Sequence, residues 1–248
     1  MTYSMKSFYS YNLSKEIGFS VYGTKGKPII VFQNLEDYNL SYKDYMINKD
    51  IESLVKAEKI LIFMLESVDN ESYLNKNSTQ HQMNKRNEEY ERYILHEFIP
   101  YIKSEYGVFG QFMLLGKKIG GYHAINFHLK HPDVFDISLT ISPILNLRHL
   151  FKEEFNDNLS YFNSPIDYIW NNNDTWFVDK FRKETFIFST EDNEDNKESI
   201  EDMRIMQEAF KKKDIDAIFD YWKKGDRWVD DGQKIFYYLS ELQDKGMI

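Results

Sequence analysis

The stretch LLGKKIGGYHAINF, from Leu114 to Phe127, decides the fold. An apolar run leads into two glycines four residues apart, and a segment of helical character follows. This order predicts a strand, a sharp turn and a helix, which is the layout of a nucleophile elbow, written G-x-S-x-G. The frame here reads GKKIG, so Lys118 stands where such an elbow carries its attacking serine. The stretch predicts the shape of a nucleophile turn without the nucleophile.

Short apolar runs recur on both sides of this stretch. They are rich in Ile, Val, Leu or Phe and do not alternate with polar residues, which is typical of parallel strands covered on both faces. The runs are Pro28–Phe32, Ile60–Leu65, Phe112–Leu115, Ile137–Ile141 and Thr185–Ser189, with Phe19–Tyr22 as an edge strand and Ala217–Tyr221 as a further strand-like segment.

Segments with helical periodicity lie between these runs. They cover Asn87–Glu105, Gly120–Lys130, Ile200–Lys212 and about Gly232–Asp244, and Pro100 is expected to kink or divide the first. Alternating strands and helices predict an α/β fold with a mostly parallel, doubly wound sheet and helices on both faces. No linker rich in Pro, Gly or Ser divides the chain, which predicts a single domain over residues 1–248 with a small cap-like insertion at about 147–181.

Charge and composition exclude several classes of partner. The 248 residues carry a formal net charge of -9, and such an acidic surface repels nucleic acid and anionic lipid. The chain has no cysteine, so disulfides, thiolate metal sites and a cysteine nucleophile are excluded. The first residues show no apolar segment of a signal peptide, and no run is long enough to span a membrane. These features predict a soluble, cytoplasmic protein.

Five motifs occur in order along the chain. They are ESVDNESYLNKN (Glu66–Asn77), RNEEYERYILHEFIPYI (Arg86–Ile102), GKKIGGYHAINFHLKHPDVF (Gly116–Phe135), YFNSPIDYI (Tyr161–Ile169) and GDRW (Gly225–Trp228). Together they resemble the putative esterase group of α/β-hydrolases, the relatives of esterase D and of small bacterial acyl esterases, over roughly residues 27–242. The resemblance implies an α/β-hydrolase fold and, in an active member, a serine, acid and histidine triad in that chain order.

The chain departs from this family at the positions that carry the chemistry. The resemblance aligns Lys118 with the nucleophilic serine and Asp226 with the histidine, while Asp192 keeps the acid. The match around the acid is loose, and Glu191 and Asp195 are alternatives for it. Two of the three triad identities are therefore replaced.

The neighbouring positions are also informative. The turn that supplies an oxyanion-hole amide is usually rich in Ser and Gly, but here it includes Asn34 and Leu35, and Ile119 follows the elbow apex. His123 and Trp228 are candidates for the lining of a pocket, although a helix histidine and a packed tryptophan are the alternative interpretations.

An ordinary lysine is an ammonium at neutral pH and therefore a poor nucleophile. Carboxylates beside it favour the charged form, so the sequence predicts an ion pair of Lys118 with Asp226, and with Asp192 as a further partner, in a former active site. Ser142, at a strand end, is an alternative nucleophile, but no histidine follows it in the base position.

These patterns predict a protein that has lost serine-hydrolase activity and binds a small-molecule or protein ligand. The alternative is a carboxylic-ester hydrolase or acyltransferase on small acyl substrates whose chemistry has moved to other residues. The six histidines show no metal-ligand spacing, so neither a metal nor a cofactor is expected. The oligomeric state is left open by the sequence.

Overall fold

A twisted sheet forms the centre of the molecule. In the computed structural model, which describes residues 3–33, 49–225 and 230–248, the sheet has eight strands in the order β1-β2-β4-β3-β5-β6-β7-β8. The six strands β3 to β8 run parallel, and the hairpin of β1 and β2 pairs antiparallel with β4 at one edge. The strands are β1 Tyr3–Ser10, β2 Lys15–Tyr22, β3 Lys27–Phe32, β4 Ile60–Leu65, β5 Phe112–Lys117, β6 Phe135–Ile141, β7 Thr185–Glu191 and β8 Ile218–Trp222.

Helices cover both faces of the sheet. The α-helices of the described residues are α1 Lys49–Lys56, α2 Gln80–Tyr93, α3 Ile99–Tyr106, α4 Ile119–Lys130, α5 Arg148–Phe151, α6 Asn158–Phe162, α7 Pro165–Asn171, α8 Thr175–Phe181, α9 Lys197–Lys212 and α10 Asp231–Asp244. Apolar residues of α1 and α10 share one buried cluster with the strands, whereas those of α2, α3 and α4 share another. This arrangement confirms the predicted α/β fold, with a mostly parallel sheet between two helical layers.

The predicted strands are confirmed, but the placement of Phe19–Tyr22 at the edge of the sheet was wrong. This segment is part of β2, which pairs with β4 on one side and on the other with β1, a strand that was not predicted. The β1 sequence YSMKSFYS alternates in burial along the edge of the sheet, so it has no continuous apolar run. Its side chains on one face reach the core through Phe8, while Met5 and Tyr9 on the other are exposed. An edge strand covered on one face is expected to show such alternation. Strand β1 therefore lacks the continuous apolar run that predicts a strand buried on both faces.

The helix around Pro100 is longer than predicted, and a π-helical turn interrupts it. It begins at Gln80, where the Thr79 side chain accepts a hydrogen bond from Gln82 N in a capping box. Between α2 and α3 the chain widens into one π-helical turn, Ile94–Phe98, and Pro100 lies in the first turn of α3. A proline lacks an N–H and clashes with the carbonyl four residues earlier, and a wider turn relieves that clash. Pro100 therefore divides the helix without ending it.

The segment between β6 and β7 contains the four short helices α5 to α8. Apolar side chains of α7 and α8, among them Ile169 and Phe181, belong to a buried cluster with α9 and β7. No helix within residues 3–33, 49–225 and 230–248 is long and apolar enough to cross a membrane. The carboxyl ends of the parallel strands and the segment after β6 together frame one edge of the sheet, where the candidate site lies.

Candidate functional site

The chain makes a sharp elbow between β5 and α4. Lys118 is the single residue between these elements, and its backbone adopts φ 53° and ψ -118°, a conformation that costs energy for a side chain with a Cβ. Its N–H donates to Ile141 O at 3.0 Å, and its carbonyl accepts from Tyr122 N at 3.0 Å and from Ile144 N at 3.2 Å. Three backbone hydrogen bonds thus hold the strained apex in place.

Two glycines allow the strand, the turn and the helix to approach so closely. A Cβ on Gly116 would lie 2.2 Å from the backbone of Gly120, and a Cβ on Gly120 would lie 2.3 Å from Phe32 O. Both contacts involve backbone atoms, which cannot move aside as a side chain can. The frame predicted from GKKIG therefore has the geometry of a nucleophile elbow, with the apex residue presented above the carboxyl ends of β3, β5 and β6.

The side chain of Lys118 reaches across to the loop that follows β7. Its Nζ donates to Asn196 Oδ1 at 2.7 Å and lies 3.5 Å from Asp195 O. Asn196 is itself held because its Nδ2 donates to Glu191 O at 3.1 Å. The apex ammonium therefore meets a neutral amide in the region where the family resemblance aligns the triad acid. Asn196 was not singled out from the sequence.

The carboxylates proposed for the acid position point elsewhere. Asp192 is exposed, and its Oδ2 lies 3.8 Å from Lys223 Nζ, so the ion pair of Lys118 with Asp192 that the sequence suggested is not formed. The physical reason is the loop path: the Asp192 N–H donates to Trp222 O at 2.7 Å, which keeps this residue beside the end of β8. Of the alternatives, Asp195 contacts Lys118 through its backbone carbonyl and Glu191 contacts Asn196 through its own.

Four of the predicted site residues lie outside the described residues. These are Asn34, Leu35, Asp226 and Trp228, so the proposed pairing of Lys118 with Asp226 remains a prediction. Ile119, the remaining oxyanion-turn position, is the first residue of α4 and is buried at the wall of a cavity beside the apex.

His123 faces the interior and does not line that cavity. Its Nε2 lies 2.8 Å from Asp69 Oδ1, and both side chains are buried. Aromatic rings surround the imidazole, among them Phe32, Tyr90 and Tyr122. Five residues along a helix rotate a side chain by about 140°, which turns His123 away from the direction of Lys118. The pocket role suggested for His123 is therefore corrected to a structural one.

A cavity of about 510 Å³ opens beside Lys118. Its wall contains His149, which follows β6 on the short helix α5, and the His149 Nε2 lies 3.1 Å from Asp202 Oδ1. Asp202 is buried on α9, and its Oδ2 accepts hydrogen bonds from the N–H groups of Leu145 and Asn146, both at 3.0 Å. The hydrogen bond to Asp202 raises the pKa of His149 above its usual value, against a smaller opposing effect of burial.

Sequence reasoning missed this pair. His149 and Asp202 lie 53 residues apart, and no local motif joins them. Ser142, the alternative nucleophile, also lines the cavity, but its Oγ is hydrogen-bonded to Thr190 Oγ1 at 2.9 Å and is buried. Within the described part of the chain, no group of three or more His, Asp or Glu side chains could hold a metal ion.

The chain is similar to known proteins both in sequence and in overall fold. Residues 12–230 match the model of the family described as "Putative esterase". No curated protein matches the chain in sequence.

Solved structures share the fold at low sequence identity. A ferulic acid esterase is 16% identical with a TM-score of 0.74, and the alignment covers 97% of each chain. An S-formylglutathione hydrolase from Agrobacterium tumefaciens is 14% identical with a TM-score of 0.68, covering 99% of this chain and 92% of the other. An S-formylglutathione hydrolase from Staphylococcus aureus is 14% identical with a TM-score of 0.67, covering 97% and 96%. The family match over most of the sequence, with the elbow and sheet described above, shows that this chain belongs to the putative esterase family of α/β-hydrolases.

Proposed function

We propose that this protein is a ligand-binding member of the esterase family without serine-hydrolase activity. The observation that supports it most directly is Lys118 at the apex of an intact elbow, hydrogen-bonded to Asn196. The elbow keeps its backbone, its two close-packed glycines and an adjacent cavity. What has changed is the group that would attack an acyl carbon.

Acyl transfer needs a nucleophile with an available electron pair and a base that accepts its proton. The ammonium of an ordinary lysine has no such pair. In the family the base is a histidine that follows the acid in the chain, and this sequence has no histidine after His149. A cavity beside an elbow that lacks the family's nucleophile retains the capacity to bind, which is why binding is the proposed role.

Hydrolysis of p-nitrophenyl acetate and p-nitrophenyl butyrate tests this proposal. We expect the wild-type protein and its Lys118→Ala variant to release p-nitrophenol at the same rate, equal to that of buffer, while a serine esterase assayed in parallel shows turnover. After treatment with a fluorophosphonate probe, intact-mass measurement should show no added mass. Turnover by the wild type above the Lys118→Ala variant would contradict the proposal.

A second candidate is a hydrolase or acyltransferase with relocated chemistry. The observation in its favour is that His149 and Asp202 form a histidine–carboxylate pair at the wall of the same cavity as Ser142. Such pairs orient the base in catalytic triads. However, the Ser142 hydroxyl is engaged with Thr190. Labelling of Ser142 by the fluorophosphonate, lost in a Ser142→Ala variant, would establish this candidate instead.

A further inference from the structure

Strand β8 lies at an open edge of the sheet. Among the strands of the described residues, it pairs only with β7, and it is the last in the sheet order. On that side the Trp222 carbonyl accepts a hydrogen bond from Asp192 N at 2.7 Å. Because the backbone groups of successive residues point to alternate sides of a strand, those of Phe219 and Tyr221 point away from β7. Such an outer side is a template for pairing with a further strand.

The side chains of β8 do little to prevent such pairing. Edge strands are commonly protected by lysine or proline, and the β8 sequence IFDYW contains neither. Its charged residue, Asp220, is engaged toward α10, because its Oδ2 accepts from Lys234 Nζ at 2.6 Å and from Tyr238 Oη at 2.7 Å. Ile218, on the same face of the strand, is 39% exposed. The strand therefore presents an exposed apolar residue, and its carboxylate is already paired.

Space for a partner strand lies on the α10 side of this edge. A cavity of about 860 Å³ lies between β8 and α10. Its walls include Ile218 and Asp220 of β8 and Tyr237 and Glu241 of α10. The helix therefore leaves one face of β8 partly uncovered, and the side chains of an added strand have room there.

The charges that flank β8 are opposite at its two ends. Asp214 and Asp216 precede the strand, Lys223 and Lys224 follow it, and all four residues are exposed. When two copies of the strand pair antiparallel, the basic end of each lies beside the acidic end of the other, so opposite charges attract at both ends. The edge is thus complementary to itself, as an interface with twofold symmetry requires.

The other edge strand lacks this complementarity. Strand β1 contains a single charged residue, Lys6, whose Nζ donates to Glu105 Oε1 at 3.0 Å. Two β1 strands would gain no attraction between opposite charges, and a lysine on an edge strand opposes strand pairing. Of the two edges of the sheet, β8 is therefore the one suited to pair with a copy of itself.

We propose that β8 is the interface of a homodimer, in which the β8 strands of two copies pair antiparallel across a twofold axis and join two sheets into one. A second copy fits this edge because the same sequence supplies both the acidic end and the basic end that the pairing needs. None of the five residues of β8 lines the cavity beside Lys118, so the inference is independent of the proposed function.

The charges also bear on the register of the two strands. An axis beside Asp220 would place two carboxylates opposite each other, which is destabilising in a strand pair. An axis beside Tyr221 places the two Tyr221 residues opposite each other and Ile218 opposite Lys224 of the second copy. That lysine then lies diagonally between Asp216 and Asp220 on the same face, within reach of both carboxylates.

Sedimentation velocity and light scattering test the assembly. In about 50 mM salt, the wild type should reach twice the 29.8 kDa of one chain at protein concentrations of about 100 μM, and it should dissociate on dilution. Raising the salt to about 300 mM should weaken the dimer, because the flanking charges are exposed and therefore screened. The amide N–H of Tyr221 should exchange with deuterium more slowly in the dimer than in the monomer.

Two substitutions of Ile218 test the register. Because Ile218 faces Lys224 of the second copy, Ile218→Lys should weaken the dimer about tenfold, whereas Ile218→Glu should strengthen it. Met5→Lys and Met5→Glu are the matched controls, because Met5 is 72% exposed on the opposite edge strand β1. They repeat the two changes in net charge and should leave the dimer unchanged.

An exchange of charges tests the contact between the two ends. Lys224→Glu should weaken the dimer about tenfold. Adding Asp216→Lys to the same protein should restore most of the loss, because the two residues have then only exchanged their signs. Circular dichroism and thermal unfolding establish that each variant is folded.

Three outcomes would overturn the inference. A wild type that stays monomeric at about 300 μM in low salt would exclude the homodimer. Equal affinities of the Ile218→Lys and Ile218→Glu dimers, or the reverse order of the two, would exclude the proposed pairing of β8. A dimer disrupted by Met5→Lys would place the interface at β1.

Discussion

The molecule contains two histidine–aspartate pairs, His123 with Asp69 and His149 with Asp202, that differ in surroundings more than in chemistry. His123 and Asp69 are 2.8 Å apart, with 1% and 0% of their side chains exposed. His149 and Asp202 are 3.1 Å apart, and 21% of the His149 side chain is exposed at the cavity. The same two residue types therefore form a core contact in one place and a cavity wall in the other.

The comparison shows that burial, more than residue type, decides whether a ligand can reach such a pair. The Asp69 carboxylate is hydrogen-bonded to His123 Nε2 and accepts from the Ser67 hydroxyl, and the Asp69 N–H donates to Ser67 Oγ. The first pair therefore joins the loop after β4 to α4. Asp202 joins α9 to the segment after β6, but its histidine presents the other ring nitrogen toward the cavity rim. Only the second pair can meet a ligand without unfolding the protein.

The largest expected effect is a difference in stability between the two pairs. His123→Leu leaves the buried Asp69 carboxylate without its main partner, and we expect a loss of about 3–5 kcal/mol in the free energy of unfolding. His149→Leu should cost about 1 kcal/mol, because Asp202 keeps two backbone N–H donors. Urea denaturation of both variants measures the difference. Equal losses at the two sites would show that burial does not distinguish the pairs.

A third pair, His128 and Glu184, extends the comparison to two buried groups that are both uncharged. His128 Nε2 lies 3.2 Å from Glu184 Oε2 in the core, and His128 stacks on Phe186. Burial lowers the pKa of His128 to about 3 and raises the pKa of Glu184 to about 8. Both shifts disfavour the charged forms, so at neutral pH this is a pair of uncharged groups.

The pH dependence of stability tests that description. A carboxyl with a raised pKa holds its proton in the folded state, so stability falls as pH rises from about 4.5 toward 8. Between pH 6 and pH 8 the wild type should lose about 2 kcal/mol relative to Glu184→Gln, measured by urea denaturation at each pH. His128 acts in the opposite sense, because its lowered pKa makes stability fall as the pH drops below 6.5. The wild type and Glu184→Gln should share that loss.

The control is Glu208→Gln, which removes an exposed carboxylate on α9 and should follow the wild type. If Glu184→Gln also follows the wild type from pH 6 to pH 8, Glu184 is ionised in the folded protein and the pair is an ordinary buried ion pair.

The sequence predicted the scaffold better than the site, for a physical reason. Continuous apolar runs and GKKIG are local signals, because burial on both faces and a tight turn restrict the residues within a short window. The strands β3 to β7 and the elbow follow from such windows. Strand β1 escaped because only one of its faces is buried.

The contacts of the site are not local. Asn196 meets Lys118 across 78 positions of the chain, and Asp202 meets His149 across 53. Each contact depends on how α9 and the loop after β7 pack on the sheet, which no short pattern encodes. A family resemblance aligned Asp192 with the acid, but the folded loop turns Asp192 toward Lys223 and Asn196 toward Lys118.

The smallest expected effect concerns the backbone of Lys118 at the apex of the elbow. Lys118 has φ 53°, where a Cβ is strained and a glycine is not. Lys118→Gly and Lys118→Ala both remove the bond to Asn196, so the difference between them isolates the backbone, and glycine should be the more stable by about 1 kcal/mol in urea denaturation. An alanine variant as stable as the glycine variant would mean that the apex relaxes once the lysine is gone. In that case the Lys118 side chain would determine the shape of the elbow. We expect instead that the scaffold imposes this shape, through the close approach at Gly116 and Gly120 and the three backbone hydrogen bonds of the apex.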